Sequence, residues 1–197
     1  MNKKLFKIAL SALAIEAGSL FAADVASSFN PYVTVKGGFV KPGNRDKVKY
    51  KNGGTGAVEF GVSYDAWRLG LEVSYRQAKV KESTNPFVNT ANIDKFNALA
   101  GIVNVYYDYA LTEEVALYVG AGLGVAKFAI HNKTTKVDTA KTVFAWQVVA
   151  GLGYDINENW TVEAGYKLFN TAKVKNNNQS VKTPFCHSLE AGLRYNF

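Results

Sequence analysis

Cysteine and histidine are both scarce in this sequence of 197 residues. The single cysteine, Cys186, cannot form a disulfide within the chain. The two histidines are His131 and His187, and only His187 lies next to the cysteine. A protein zinc site needs a cluster of three or four nitrogen, sulfur or carboxylate ligands. We therefore expect no metal site, and no other cofactor.

Long apolar runs are also missing after the first 23 residues. Mean hydropathy is −0.08, and no later segment approaches the roughly 20 apolar residues that a transmembrane helix needs. The sequence therefore has no signature of a helical membrane protein. A membrane-spanning β-strand leaves a much weaker hydropathy signal, because only every second residue meets lipid.

The first 22 residues have the features of a secretory signal peptide. A basic start with three lysines leads into an apolar segment over residues 8–14, and small residues follow up to Ala23. We predict cleavage near Ala22 or Ala23 and a single mature domain over residues 23–197. A membrane anchor is the alternative, but Glu16 interrupts a segment that is already too short to span a bilayer.

Segments with a period of two follow one another from Tyr32 to the end of the chain. Successive side chains of a β-strand point to opposite faces, so this period indicates strands with one apolar and one polar or small-residue face. The sequence predicts eight strands, over residues 32–39, 56–64, 67–76, 96–109, 115–128, 144–156, 160–168 and 187–197.

The connections between these strands alternate in length. Tight turns follow the second, fourth and sixth strands, whereas long polar segments follow the first, third, fifth and seventh. Short turns at one rim and long loops at the other are typical of an outer-membrane barrel. A β-sandwich is the alternative, but it does not require this alternation. The long segments are residues 41–55, 81–95, 129–141 and 171–183.

The last strand ends on an aromatic residue, and its apolar positions are Leu189, Leu193, Tyr195 and Phe197. This ending resembles the assembly signal of bacterial outer-membrane barrels. Residues 32–197 are similar to the eight-stranded opacity and outer-membrane-protein-A transmembrane group of surface proteins. The resemblance implies an all-β fold, an eight-stranded antiparallel up-and-down transmembrane barrel in a Gram-negative outer membrane. It also implies contact with the barrel-assembly machinery through the C-terminal strand, and a surrounding of outer-membrane lipid and lipopolysaccharide.

Aromatic residues gather next to the tight turns and at the end of the chain. Amphipathic rings prefer the headgroup layer, so this clustering predicts an aromatic girdle at the rim of the tight turns. Cross-strand aromatic pairing in a sheet is the alternative interpretation. The rings are those of Tyr64, Trp67, Tyr107, Tyr109, Tyr154, Trp160, Tyr195 and Phe197.

Ten ionisable residues, five basic and five acidic, fall on the faces opposite the apolar ones. An arginine or lysine facing lipid near the midplane costs roughly 2–4 kcal/mol, so the strand register is strongly specified. Eight strands leave an interior that side chains fill, so we predict a salt-bridged, hydrogen-bonded plug. A gated ion path or proton relay is the alternative. The ten are Lys36, Glu59, Arg68, Glu72, Arg76, Asp108, Glu163, Lys167, Glu190 and Arg194.

Two residues of the last strand suggest an enzyme. His187 and Ser188 faintly resemble the lipid A deacylases, which are barrel enzymes with a histidine and a serine near each other on one strand. Adjacent residues of a strand point to opposite faces, so these two cannot form a dyad without a bulge. No carboxylate that would orient the histidine is evident in the sequence. We therefore expect no enzymatic activity.

Positive charge gathers in the predicted long loops. The chain carries a net charge of +7, and a leader contribution of +2 leaves +5 for the mature domain. Such loops suit solubility and contact with lipid phosphates, or adhesion to anionic host surfaces. We expect no nucleic-acid partner, because a signal peptide and a barrel place these loops outside the cell. The first loop is the most basic, with Lys41, Arg45, Lys47, Lys49 and Lys51.

These features together predict an outer-membrane surface antigen or adhesin with a plugged polar lumen and basic extracellular loops. A small channel for ions or hydrophobic solutes is the first alternative, because the predicted interior is polar. A lipid A-modifying enzyme is the second alternative, and it depends on His187 and Ser188 sharing one face.

Overall fold

The computed structural model describes residues 29–43, 48–50, 52–83, 93–132, 139–172, 174–176, 179–181 and 185–197. The predicted signal peptide lies outside the described residues. So do Arg45, Lys47 and Lys51 of the first loop, and the side chain of Lys49.

Eleven β-strands run through these described ranges, and eight of them are long. In chain order the strands are β1 (Asn30–Pro42), β2 (Val48–Tyr50), β3 (Gly53–Tyr64), β4 (Trp67–Ser83), β5 (Ile93–Ala110), β6 (Val115–Asn132), β7 (Thr139–Asp155), β8 (Trp160–Thr171), β9 (Val174–Asn176), β10 (Gln179–Val181) and β11 (Cys186–Asn196). The described part of the chain has no helix long and apolar enough to cross a membrane.

The eight long strands form a closed antiparallel barrel, as predicted. Each of the eight long strands pairs with the long strand that follows it along the chain, including β4 with β5. The ring is completed where β1 meets β11, with Tyr32 opposite Asn196 and Pro42 opposite Cys186. The terminal residue contributes to this seam, because the Phe197 backbone N–H donates to the Pro31 carbonyl at 3.0 Å. The barrel therefore has no unpaired edge along the β1–β11 seam.

Side chains alternate between the outside and the inside of the barrel, with apolar residues outside. On β4, Leu69 and Leu71 are 50% and 53% exposed, whereas Arg68 and Glu72 are 3% and 0% exposed. This distribution is the reverse of the usual arrangement in globular proteins, where charged side chains are almost never fully buried unless paired. An apolar solvent on the outside and paired charges on the inside account for it.

The tight turns are held by local side-chain and backbone bonds at one end, here named the lower end. Asp65 has φ of 51°, the left-handed conformation that a two-residue hairpin turn requires. The Thr112 hydroxyl accepts a bond from the Val115 N–H at 3.0 Å. The Asn157 side chain accepts one from the Trp160 N–H at 2.9 Å. These turn residues explain why the tight connections were readable from the sequence.

At the upper end, several strands extend further than their sequence pattern predicted. β7 begins at Thr139 rather than at residue 144, and β6 continues to Asn132 rather than 128. The short strands β2, β9 and β10 also lie inside segments that were predicted as loops. The apolar alternation fades in these polar stretches, so periodicity could not reveal them. Backbone pairing with neighbouring strands, such as Ile130 with Thr139, extends the sheet there instead.

Glycines of β6 make room for bulky side chains of β5 inside the barrel. Gly120 and Gly122 lie directly opposite Tyr106 and Asn104. A Cβ atom added at Gly122 would lie 2.0 Å from Asn104 Oδ1 and 2.6 Å from Ile102 Cγ2. A Cβ at Gly120 would lie 2.3 Å from the Tyr106 ring. These positions therefore need glycine for space.

We expect Gly122→Ala to lower the free energy of unfolding by about 1–3 kcal/mol, the usual range for overpacking an interior. Gly101→Ala is the matched control, because no described atom lies within 4 Å of the Cβ it adds. Urea unfolding of both variants in lipid vesicles measures the difference. Equal stability of the two variants would contradict the packing of β6 glycines against β5.

Candidate functional site

All ten side chains predicted to line the interior point into the barrel. Eight of these residues are at most 9% exposed, whereas the side chains of Asp108 and Arg194 are 22% and 13% exposed near the lower opening. They come from six strands, β1, β3, β4, β5, β8 and β11. The eight buried residues are Lys36, Glu59, Arg68, Glu72, Arg76, Glu163, Lys167 and Glu190.

Four charged residues near the lower end form what is here named the lower ion cluster: Arg68, Asp108, Glu163 and Arg194. Arg68 binds Asp108 with two parallel bonds, from Nε at 2.6 Å and from Nη2 at 2.8 Å. Glu163 Oε1 accepts one bond from Arg68 and one from Arg194, each at 3.0 Å. Bidentate and shared contacts of this kind are the strong form of a charge-assisted hydrogen bond. They compensate two arginines inside the barrel.

Glu59 lies in the middle of the lumen, where it is fully buried and accepts several hydrogen bonds. Its carboxylate accepts bonds from the hydroxyls of Tyr106 at 2.6 Å and Tyr32 at 2.9 Å. The Asn104 amide donates a third bond at 3.0 Å. Lys36 Nζ lies 3.7 Å from the same carboxylate. Three neutral donors and one cation thus satisfy a carboxylate that burial would otherwise destabilise.

The upper ion cluster consists of Lys167, Glu72 and Glu190. Lys167 Nζ lies 2.7 Å from Glu190 and 2.9 Å from Glu72. Gln147 then donates to Glu72 at 3.3 Å and to Asn104 Oδ1 at 2.9 Å. Because Asn104 also binds Glu59, this amide chain joins the upper cluster to the middle of the lumen.

Arg76 lies at the boundary between these polar clusters and an apolar upper part of the lumen. Its guanidinium carbon is 3.9 Å from the centre of the Phe169 ring, and its Nη2 donates to Gln147 at 3.4 Å. The negative face of the Phe169 ring thus offsets part of the guanidinium charge, as a carboxylate would. A cluster of buried apolar side chains also lies inside the barrel and is here named the apolar collar: Val40, Ala98, Ala100, Ile102, Ala126, Ala145, Phe169 and Cys186.

The sequence prediction named the ionisable residues and missed their neutral partners. Tyr106, Asn104 and Gln147 are each at most 1% exposed and carry central bonds of the network. Tyr118, 4% exposed, places its ring over Gly151 and Gly165. The alternation that placed the charges also places these residues inside, so parity alone was a sufficient signal for them.

The residues behind the enzyme alternative lie on different sides of the wall. His187 is exposed on the outer face, where its Nδ1 contacts the Tyr166 hydroxyl. Ser188 is 1% exposed and faces the lumen, as does Cys186 at 7%. A histidine–serine dyad therefore cannot form in this strand. Among the described residues, no group of three or more His, Cys, Asp and Glu side chains could hold a metal ion.

Aromatic rings collect on the outer face at the lower end. Trp67 packs on Tyr107 with ring centres 5.0 Å apart, and Trp160 packs on Tyr195 at 4.8 Å. Tyr195 in turn packs on Phe197 at 5.0 Å. The rings therefore form cross-strand pairs and a rim at the same time. The outer face of β11 also carries Leu189, Leu193, Tyr195 and Phe197, the residues of the predicted assembly signal.

Comparison with known families decides the identity of this barrel. The outer membrane protein beta-barrel domain family matches residues 8–197. The chain belongs to this family. The two properties on which the barrel interpretation depends, a ring of eight long strands and an apolar outer face, are the expected ones for such a domain.

Two curated relatives come from Gram-negative pathogens. Outer membrane protein PagN of Salmonella typhimurium is 28% identical over 168 residues, which cover 76% of this chain and 69% of the relative. Opacity protein V28 of Neisseria gonorrhoeae is 25% identical over 184 residues, covering 71% of this chain and 76% of the relative. The resemblance to opacity proteins is thus confirmed.

Two crystal structures share the fold. Neisserial surface protein A superposes with a TM-score of 0.63 at 20% identity, covering 88% of this chain and all of that one. Ail, the attachment invasion locus protein of Yersinia pestis, superposes with a TM-score of 0.51 at 16% identity, covering 86% of this chain and 98% of that one. That Ail crystal contains the heparin analogue sucrose octasulfate.

The protein is therefore located in the Gram-negative outer membrane, as predicted. The apolar outer face meets lipid, and the lower end with its tight turns faces the periplasm. The upper end is then the end expected to face outward from the cell. The aromatic rim at the lower end takes the position of an interfacial girdle.

We expect Glu163→Gln to lower the free energy of unfolding by about 3 kcal/mol. This is the lower end of the range for removing one partner of a buried ion pair, because Arg68 keeps its bidentate contact with Asp108. Glu113→Gln, in an exposed turn, is the control and should change stability by less than about 0.5 kcal/mol. Urea unfolding in lipid vesicles measures both, and an unchanged Glu163→Gln midpoint contradicts a structural role of this pair.

Proposed function

We propose that this protein is a surface adhesin that binds anionic host surfaces through its long basic loops. The supporting observation is where its charge lies. The ten ionisable side chains of the lumen are five acids and five bases, so they contribute no net charge. The mature domain nevertheless keeps a net charge of +5. That charge must therefore come from the loops, turns and outer surface.

The two ends of the barrel differ in sign. The tight turns at the lower end carry Asp65, Glu113, Glu114, Asp155 and Glu158 and no basic residue. The first long loop at the upper end has the opposite sign, with five basic residues and one acid over residues 41–51. A field of one sign at the outward end attracts polyanions from solution. The heparin analogue bound to Ail, a protein of the same fold, supports sulfated glycans as the ligand class.

Replacing the five basic residues of the first loop by glutamine tests this proposal. We expect binding to immobilised heparin at physiological salt to weaken at least about tenfold, because exposed charge pairs contribute roughly 0.2–1 kcal/mol each. The wild-type affinity should also fall steeply with added salt, and the variant affinity less so. The residues are Lys41, Arg45, Lys47, Lys49 and Lys51.

The matched control neutralises Lys133, Lys136 and Lys141 of the third loop. An equal loss in both variants would indicate a diffuse charge effect rather than a site in the first loop. Unchanged binding after neutralising the first loop would overturn the proposal. Deleting all four long loops should abolish binding and leave folding in micelles intact, and collapse of the barrel on deletion would refute the separation of loops from scaffold.

We propose in addition that the lumen is a plug rather than a channel. The supporting observation is that the two ion clusters, the bonds of Glu59 and the buried apolar collar all occupy the interior. A space among Lys36, Tyr118, Glu163 and Lys167 measures about 10 Å³. A space of this size holds about one water molecule and is too small for a hydrated ion.

Planar-bilayer recordings test the plug. We expect no stable single-channel steps from the purified protein at physiological salt, whereas a general porin in the same bilayers gives clear steps. Reproducible steps of one amplitude would show that the lumen opens, and would favour the channel function instead.

The outward side chains of Leu189, Leu193, Tyr195 and Phe197 are the proposed contact for the barrel-assembly machinery. Removal of Phe197 tests that role, since it should lower the amount of assembled barrel in cells. Exposed Lys41 and Lys127 on the outer face suit contact with phosphates of outer-leaflet lipid and lipopolysaccharide.

A further inference from the structure

A small enclosed space lies inside the barrel beside β1, β8 and β11. Its walls include four charged side chains, Lys36, Glu163, Lys167 and Glu190, together with the ring of Tyr118. The space measures about 10 Å³. A water molecule needs roughly 10–15 Å³ of such volume and two to four polar partners. Both requirements are met for a single water molecule.

One acceptor in the wall has no bond within the described part of the protein. Glu163 is 2% exposed, and its Oε1 accepts from Arg68 and Arg194. Its other oxygen, Oε2, accepts no hydrogen bond from any described residue. An unsatisfied oxygen of a buried carboxylate costs about 1–3 kcal/mol or more, so such atoms are normally bonded to protein or to ordered water.

The lysine nearest this oxygen is too far away for a direct bond. Lys36 Nζ lies 3.8 Å from Glu163 Oε2 and 3.7 Å from Glu59 Oε2. Direct N–H···O bonds in proteins are about 2.7–3.2 Å long. Polar contacts beyond about 3.5 Å are commonly bridged by water. A third group between Lys36 and Glu163 would therefore explain why the distance between them is so long.

We propose that this cavity is a binding site for one structural water molecule, which donates to Glu163 Oε2 and accepts from Lys36 Nζ. The wall carries two lysines and two glutamates, so its net charge is zero and favours a neutral ligand over an ion. The second proton of the water and its second lone pair face a wall that also contains the Tyr118 hydroxyl, Lys167 and Glu190.

This water completes the connection between the parts of the lumen. Asn104 and Gln147 already join the middle carboxylate to the upper ion cluster. The lower ion cluster reaches Lys36 only through the 3.8 Å contact at Glu163. With the water in place, Lys36 is hydrogen-bonded to the lower ion cluster, and its 3.7 Å ionic contact with Glu59 links that cluster to the middle of the lumen. The inference goes beyond the proposed adhesin and plug, and neither glycan binding nor conductance decides it.

Crystal structures of Val149 variants test the site, because Val149 lines the cavity and is 3% exposed. In the wild type we expect a density peak within hydrogen-bond distance of Glu163 Oε2. Val149→Ala enlarges the space and should keep the peak, whereas Val149→Ile fills it and should remove the peak. Val40→Ile, in the apolar collar, is the control for overpacking and should keep the peak.

A second measurement covers the case in which Val149→Ile does not fold. Water-to-amide magnetisation transfer in micelles should reach Gly165 and Gly192, which line the cavity, in the wild type and in Val149→Ala. Absence of both the density peak and this transfer would overturn the proposal, as would a direct Lys36–Glu163 bond. An anomalous peak in the cavity after soaking with thallium or bromide would also overturn it, because the ligand would then be an ion.

Discussion

The whole structure depends on compensating charge inside a narrow closed cylinder. Moving an ion from water to a protein interior carries a penalty of several kcal/mol, and only close partners of opposite sign offset it. Here five acids and five bases share one lumen. Glu163 holds Arg68 and Arg194 on one oxygen, and Lys167 lies between Glu72 and Glu190. Removing any one of these groups takes one close partner away from at least one other buried charge.

The outer surface obeys the opposite requirement. Lipid accepts apolar side chains and rejects charged ones, so Leu71 can be half exposed while Glu72 beside it is fully buried. The same strand satisfies both conditions because its side chains alternate. Small residues complete the arrangement, since glycines of β6 leave room for Tyr106 and Asn104 within a barrel of only eight strands.

The ion clusters that stabilise the barrel are thus separate from the loops that are proposed to bind host surfaces. The ten ionisable side chains of the lumen carry no net charge, whereas the tight turns at the lower end carry acidic residues and no basic one. The residues of both ion clusters all lie on barrel strands or at their lower ends, and none lies in the long connections.

The sequence by itself determined which side of each strand faces lipid, because the side-chain period of two is local. It also predicted eight strands, tight turns at one end and the fold family. Only the tertiary structure decided which charges meet, since Arg68 bonds to Asp108 and Glu163 across 40 and 95 residues of chain. The apolar collar with Phe169 and Cys186 was likewise hidden. Such contacts depend on the register and closure of the whole ring, which no local pattern encodes.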